Sequence, residues 1–199
     1  RAFVDGKDYM ADLQTAIAGC DHSLLMSGWR MSSGQLLNPM QSEGGLTGET
    51  ILEAVGAAAR RGCAVKALLF KVPGTQAPGP FRFWHARDNF EFASAIAAAG
   101  GEAILDSRLP PVPASSHHQK FILALGSRGS DNVAYLGGID ICFDRWDTRE
   151  HDAAPERQRD FVRAGAFETH TPSQPGWHDV QARVAGPAIR QIWDAFQMR

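Results

Sequence analysis

Lysine is scarce in this 199-residue chain: four residues (Lys7, Lys66, Lys71, Lys120) stand against sixteen arginines. The scarcity says nothing about fold, but it makes each lysine worth explaining. Acidic residues outnumber basic ones, 22 to 20, so no global positive field exists to gather nucleic acid. Cysteine is sparse too. Cys20, Cys63 and Cys142 are odd in number, far apart and set in apolar runs, which reads as buried free thiols. No CxxC or Cys/His spacing of zinc type occurs. No apolar run is long enough to span a bilayer, and no signal peptide opens the chain. The first residue is Arg1 rather than Met, so a fragment or a processed piece is expected. No internal repeat is visible.

What is present is a hydrophobic share of 44%, enough for one well-packed domain over residues 1–199. Helical spacing of Tyr9, Met10, Leu13, Ile17 and Cys20 predicts a helix over Gly6–Cys20. A strand is expected over His22–Met31. Thr47 is a candidate cap for a helix over Glu49–Arg61, after a break at Gly44–Gly48. Cys63–Phe70 is nearly all apolar, as buried parallel strands tend to be. Prolines and glycines make Lys71–Pro80 a loop. A helix to Ala99, starting at Trp84 or His85, ends on Gly100-Gly101. Further strands are expected at Glu102–Asp106, Lys120–Leu125, Asn132–Leu136 and Val180–Val184. Residues 147–176 read as a long polar loop. Pro187 suits the first turn of a final helix over Ala188–Met198. The order is α/β, with a mixed, largely parallel sheet flanked by helices.

The chemistry concentrates in Ser115-Ser116-His117-His118-Gln119-Lys120, ahead of the apolar Phe121–Leu125. A His and a Lys two apart on extended backbone project to one side. A phosphodiester calls for such a pair. Its oxygens are negative, so a neutral imidazole attacks without adding charge. A compact ammonium then neutralises the oxygens as charge grows. By itself the spacing decides little, because chance gives it in roughly one chain of this composition in seven.

Three further blocks follow: Gly137-Gly138-Ile139-Asp140, then Cys142-Phe143-Asp144-Arg145-Trp146-Asp147-Thr148, then Gly176-Trp177-His178-Asp179-Val180 with Val184-Ala185-Gly186-Pro187. With His118-Gln119-Lys120 in front, this order resembles the first, N-terminal catalytic half of the two-lobed phospholipases D. Phe3-Val4-Asp5-Gly6 and Ser27-Gly28-Trp29 are similar to that family as well, so the resemblance spans nearly the whole chain.

The resemblance implies a phospholipase D-like lobe and a set of roles. His118 is the nucleophile or the general acid of a histidine pair. Lys120 binds phosphoryl oxygens, and Asp140 sits beside the same phosphate. Gly138 stands where many relatives carry Ser, and so lacks a hydroxyl donor. Asp179 orients the catalytic imidazole. Arg145, Trp146 and Asp147 form a structural block near the site, and His178, in a family block beside Asp179, is a candidate substrate contact together with Gly138. No metal or cofactor is implied, since lysine, imidazole and acid do the electrostatic work; calcium in some relatives serves membrane binding. The motif's tail Asp would fall at position 125, which is Leu125; Asp131 is a spatial substitute to look for. His22, His85, His151, His170 and His178 lack a Lys two residues on. The second catalytic half is therefore expected elsewhere, on the same full-length chain or on another polypeptide.

The implied substrate is a glycerophospholipid headgroup phosphodiester at a membrane interface. Phe81-Arg82-Phe83-Trp84 has the aromatics and the cation for such an interface, with Arg82 and Trp84 as substrate contacts. A nuclease-type homodimer and a non-catalytic phosphate-binding lobe are the alternatives. Peripheral membrane association of a secreted or periplasm-delivered bacterial enzyme is the expected location.

Overall fold

The computed structural model describes residues 1–71, 84–108, 116–129, 131–151, 155–156 and 177–198. Strand β1 (Ala2–Val4) runs straight into helix α1 (Gly6–Gly19), whose Tyr9, Met10, Leu13 and Ile17 form one buried stripe. Strand β2 (Ser23–Gly28) follows, then a small exposed hairpin of β3 (Met40–Ser42) and β4 (Gly45–Thr47). Helix α2 (Ile51–Arg60) leads to strand β5 (Ala64–Phe70). Helix α3 (Trp84–Ala98) leads to β6 (Glu102–Asp106). Strands β7 (Phe121–Leu125), β8 (Val133–Gly137) and β9 (Val180–Ala185) precede the last helix, α4 (Ile189–Gln197).

Seven strands make one sheet in the order β1-β9-β8-β7-β2-β5-β6. The expected mixed sheet is there. Its parallel part is β2-β5-β6, where helical crossovers return the chain. The remaining neighbours pair antiparallel, so the parallel share is smaller than the apolar runs implied. Period-two alternation sends Leu24, Met26, Ile122 and Ala124 to one face, beneath α1, α2 and α3. It sends Leu25, Phe121 and Leu123 to the other, under Ile189, Ile192, Trp193 and Phe196 of α4. Among the described residues no helix is long and apolar enough to cross a membrane.

Two local expectations need correction. Thr50, not Thr47, caps α2. Its hydroxyl accepts from the Glu53 amide at 3.2 Å, and the Glu53 carboxylate accepts from the Thr50 amide at 2.8 Å. Thr47 has no such reciprocal partner three residues on, and Gly48 behind it takes φ +146°. The break read at Gly44–Gly48 is the turn and second strand of the β3-β4 hairpin. Strand β1 escaped prediction because three residues are too few to show a period.

Antiparallel pairing then determines where the chemistry goes. Ser27 pairs with Phe121, Phe121 with Leu136, Gly137 with Gln181 and Val4 with Val180. The ends of β1, β2 and β8 and the starts of β7 and β9 therefore meet along one edge of the sheet. Asp5, Trp29, His118, Lys120, Asp140 and Asp179 all lie there.

Candidate active site

Lys120 is the last residue before β7 and is buried. Its Nζ lies 3.1 Å from Asp140 Oδ2, in the connection after β8, and donates to the His118 carbonyl at 3.3 Å. Asp140 is 2% exposed, so water does little to support its charge. Burial pushes its carboxyl up; the Lys120 ammonium and the amides of Arg30 and Trp29 pull it back. The Trp29 amide donates to Asp140 Oδ1 at 2.9 Å. That loop is itself locked from α3. Buried Asn89 accepts from the Met31 amide at 2.9 Å and donates to the carbonyls of Trp29 (2.7 Å) and Phe70 (2.8 Å). Such a dry ion pair is costly to assemble and contributes little net stability, so its presence at a strand edge points to function.

The two neighbouring histidines divide inside from outside. His117 is buried, with Nε2 3.1 Å from Ser27 Oγ on β2. Extended backbone then turns His118 outward, where it is exposed. The His118 ring meets Trp29 edge-on at 5.5 Å between centroids, and Lys120 Nζ lies 5.9 Å from the same indole. Partial loss of water holds the His118 imidazole below the ordinary histidine range; Lys120 adds to this, while Asp140 and Asp179 oppose it. The result favours a neutral ring beside a cation, the state a nucleophile at phosphorus needs.

Asp179 opens β9 and presses its carboxylate against Gly138. A Cβ at position 138 would lie 2.1 Å from Asp179 Oδ1. The space a serine side chain would use is therefore filled by a carboxylate. The Asp179 amide donates to Asp5 Oδ1 at 3.1 Å, and the Asp5 amide donates to the Asp179 carbonyl at 2.9 Å. Asp5 is fully buried with φ +64°, a strained conformation for a non-glycine residue.

Behind Asp5 lies a polar chain that sequence reasoning missed. His178 Nδ1 is 3.1 Å from Asp5 Oδ1 and 2.8 Å from His151 Nε2. His151 Nδ1 is 3.1 Å from buried Asp147 Oδ2. Ligand-type atoms of Asp5, His151 and His178 lie within 4.8 Å of one another. A divalent cation could bridge them, and the hydrogen bonds hold them without one. His178, a candidate substrate contact, is hydrogen-bonded into this chain around Asp5. The only sequence signal was its place in the Trp177-His178-Asp179 block.

The Arg145-Trp146-Asp147 block acts as expected of a support. Trp146 is 1% exposed, and a Cβ on Gly6, the first residue of α1, would lie 2.1 Å from the Arg145 carbonyl. Arg145 pairs with Asp144 at 2.7 Å and stacks on Trp177 at 4.3 Å. Asp131 lies near Leu125, where the motif Asp would fall, and away from the Lys120–Asp140 pair. It lies by Gly126, in the turn at the far end of β7. Arg82 lies outside the described residues; Trp84 opens α3, but its side chain is likewise outside them.

Residues 16–199 match the family model described as phospholipase D. Phospholipase D alpha 1 from Vigna unguiculata is 32% identical over 118 residues, covering 50% of this chain and 14% of that protein. Phospholipase D alpha 4 from Arabidopsis thaliana is 25% identical over 214 residues, covering 98% of this chain and 28% of that one. The match to phospholipase D delta from Arabidopsis thaliana takes in only 10% of that protein, so the chain spans a small part of its curated relatives. In fold it is similar to NucT from Helicobacter pylori, with a TM-score of 0.60 at 10% identity over 100% of this chain and 92% of that one. Nuc from Salmonella typhimurium, described as a phospholipase D family member, superposes with a TM-score of 0.55 at 16% identity over 100% and 93%. A family match over residues 16–199, on a sheet edge that gathers His118, Lys120, Asp140 and Asp179, means that the chain belongs to the phospholipase D family.

Proposed function

We propose that this chain supplies one half of a phospholipase D-type phosphodiesterase site and acts on the headgroup phosphodiester of glycerophospholipids. The observation that carries the proposal is the exposed His118 ring beside the dry Lys120–Asp140 pair. His118 attacks phosphorus as the neutral ring or, carrying a proton, protonates the leaving alkoxide. A second histidine, from another lobe or another copy, takes the opposite role. Lys120 takes charge from the phosphoryl oxygens as the P–N bond forms and the P–O bond to the headgroup breaks. The protonated partner histidine gives its proton to the departing alkoxide, then removes one from water. That water attacks the phosphohistidine, and His118 leaves as a neutral ring. Asp140 anchors Lys120, and Asp179 steadies the imidazole. Phospholipase D relatives and the slight excess of acid over base support lipid as substrate. Phe81, Arg82, Phe83 and Trp84 are the proposed interfacial contact.

A second reading has its own observation. Nuc and NucT are covered to 93% and 92% of their length, so those chains are of single-lobe size. Two copies of this lobe pairing about a twofold axis would equally bring two histidines to one phosphate. In the full-length protein, His118→Ala is expected to cut choline or ethanolamine release from vesicles by roughly a thousandfold or more. Unchanged release refutes the site. Native mass separates the readings: a dimer of chains this long that cleaves DNA and spares lipid would sink the lipid proposal.

A further inference from the structure

Cys20 and Cys63 are 43 residues apart in sequence, yet their sulfurs lie 3.0 Å from each other, as free thiols in hydrogen-bond contact. Both side chains are buried in the main core, at 2% and 5% exposure. The meeting follows from topology. Cys20 ends α1 just ahead of β2, and Cys63 immediately precedes β5. These strands are parallel neighbours in register from Ser23 and Ala64, and the Ala64 amide donates to the His22 carbonyl at 2.9 Å. The two thiols therefore cap adjacent strand starts. The third cysteine is elsewhere: Cys142 Sγ lies 3.0 Å from Asp144 Oδ1 and is fully buried.

We infer that Cys20 and Cys63 are a disulfide pair, closed by thiol–disulfide exchange while the chain folds. The partner is a small or protein disulfide oxidant. One thiolate attacks the oxidant's disulfide, giving a mixed disulfide and a released thiolate. The other cysteine sulfur then displaces the remaining oxidant thiolate, forming the Cys20–Cys63 bond. The cysteine sulfurs give up two electrons and two protons; the oxidant's disulfide leaves as two thiols. In the closed core this exchange is blocked. Neither sulfur faces solvent, and burial with the Cys20 neighbour pushes the Cys63 thiol up to about 12. The redox state is thus set before the core closes and is retained afterwards. The bond would join the starts of β2 and β5, while the candidate active site sits at the opposite end of β2. Its effect falls on stability and not on turnover.

The test uses the full-length protein, unfolded in urea and refolded with either oxidised glutathione or excess dithiothreitol. Alkylation under denaturing conditions and peptide mapping follow. With oxidised glutathione, the Cys20 and Cys63 peptides are expected to be joined, while Cys142 is alkylated in both samples. A disulfide closing a loop of this length raises melting by about 10 °C, with headgroup release at 25 °C unchanged. In the Cys20→Ala/Cys63→Ala variant the choice of oxidant or reductant should leave melting unaffected. Singly alkylated Cys20 and Cys63 after oxidative refolding, glutathione adducts on either, or a joined pair with no rise in melting would each overturn the inference.

Discussion

The two ends of strand β7 are built to different rules. At its start, Lys120 and Asp140 hold a buried ion pair, and His118 stands exposed beside them. At its end, Leu125 is half-buried against the small core under α4. The turn beyond it is tied down by ordinary polar contacts. Asp21 accepts from the Ser127 amide at 2.6 Å and its hydroxyl at 2.8 Å, and Asn132 accepts from the Gly126 amide at 2.9 Å. The far end follows propensity and burial. The near end spends stability on buried charge, which chemistry at a phosphate explains and packing does not. Perturbing each end should therefore affect different observables.

After loss of His118 itself, Lys120→Met should act most strongly. It leaves Asp140 buried without its cation, which costs about 3–5 kcal/mol by analogy with broken buried pairs. It also removes the charge proposed to meet the phosphoryl oxygens, for a fall in kcat of roughly 100- to 1,000-fold. Denaturant melts and headgroup-release kinetics measure the two losses separately. The pH profile adds a signature that misfolding would not give. If His118 is the nucleophile of the proposed mechanism it must be neutral to attack, so activity rises with pH through its pKa, which lies below the ordinary histidine range. Lys120 is one of the causes of that lowering. In the residual activity of Lys120→Met the acidic limb should move to higher pH. In the folding equilibrium the lowered pKa acts in the same direction, its stabilisation being present above the unfolded histidine pKa and lost as pH falls through the folded one. A limb that stays in place would remove His118 from the role of nucleophile.

Gly138→Ala tests the same end more gently. A Cβ there meets the Asp179 carboxylate at 2.1 Å, so either Asp179 or the backbone must move. The expected stability loss is about 1–3 kcal/mol. A displaced orienting carboxylate should lower kcat by roughly 10- to 100-fold with little change in KM. Gly138→Ser should behave alike, because the clash begins at Cβ, before any hydroxyl can help. Wild-type kcat in either variant would show that Asp179 does not position the imidazole.

The sheet edge was legible in sequence to the extent that its signals were local. His118 and Lys120 sit two apart on the extended backbone leading into β7, and the resemblance of the Gly137–Asp140 block to a known family added Asp140. Helix α1 and strand β5 were equally plain from periodicity and apolar run length. The exclusion of a side chain at Gly138 was not legible, because the excluding atom belongs to a residue 41 positions later. The Asp5-His178-His151-Asp147 chain was hidden for the same reason. Its members come from β1, the start of β9 and the connection after β8, and only antiparallel pairing unites them. The pairing of Cys20 with Cys63 likewise depends on which strands are neighbours, whereas sequence showed three isolated thiols.

The smallest effect on catalysis should come from the change that sequence comparison would rank high. Leu125 occupies the place of the motif's tail Asp. It lies at the opposite end of a five-residue strand from Lys120, about 17 Å along the backbone at the usual rise per residue. At that distance a carboxylate can touch neither the phosphate nor His118. Leu125→Asp should thus restore the family letter without raising activity. What it changes is the apolar cluster of Phe121, Leu123 and Phe196, into which a charged group would be placed. The expected cost is about 1–3 kcal/mol in a denaturant melt, with kcat and the pH profile unchanged. A gain in kcat would mean that the two ends of β7 are energetically coupled, and that the far end is part of the site after all.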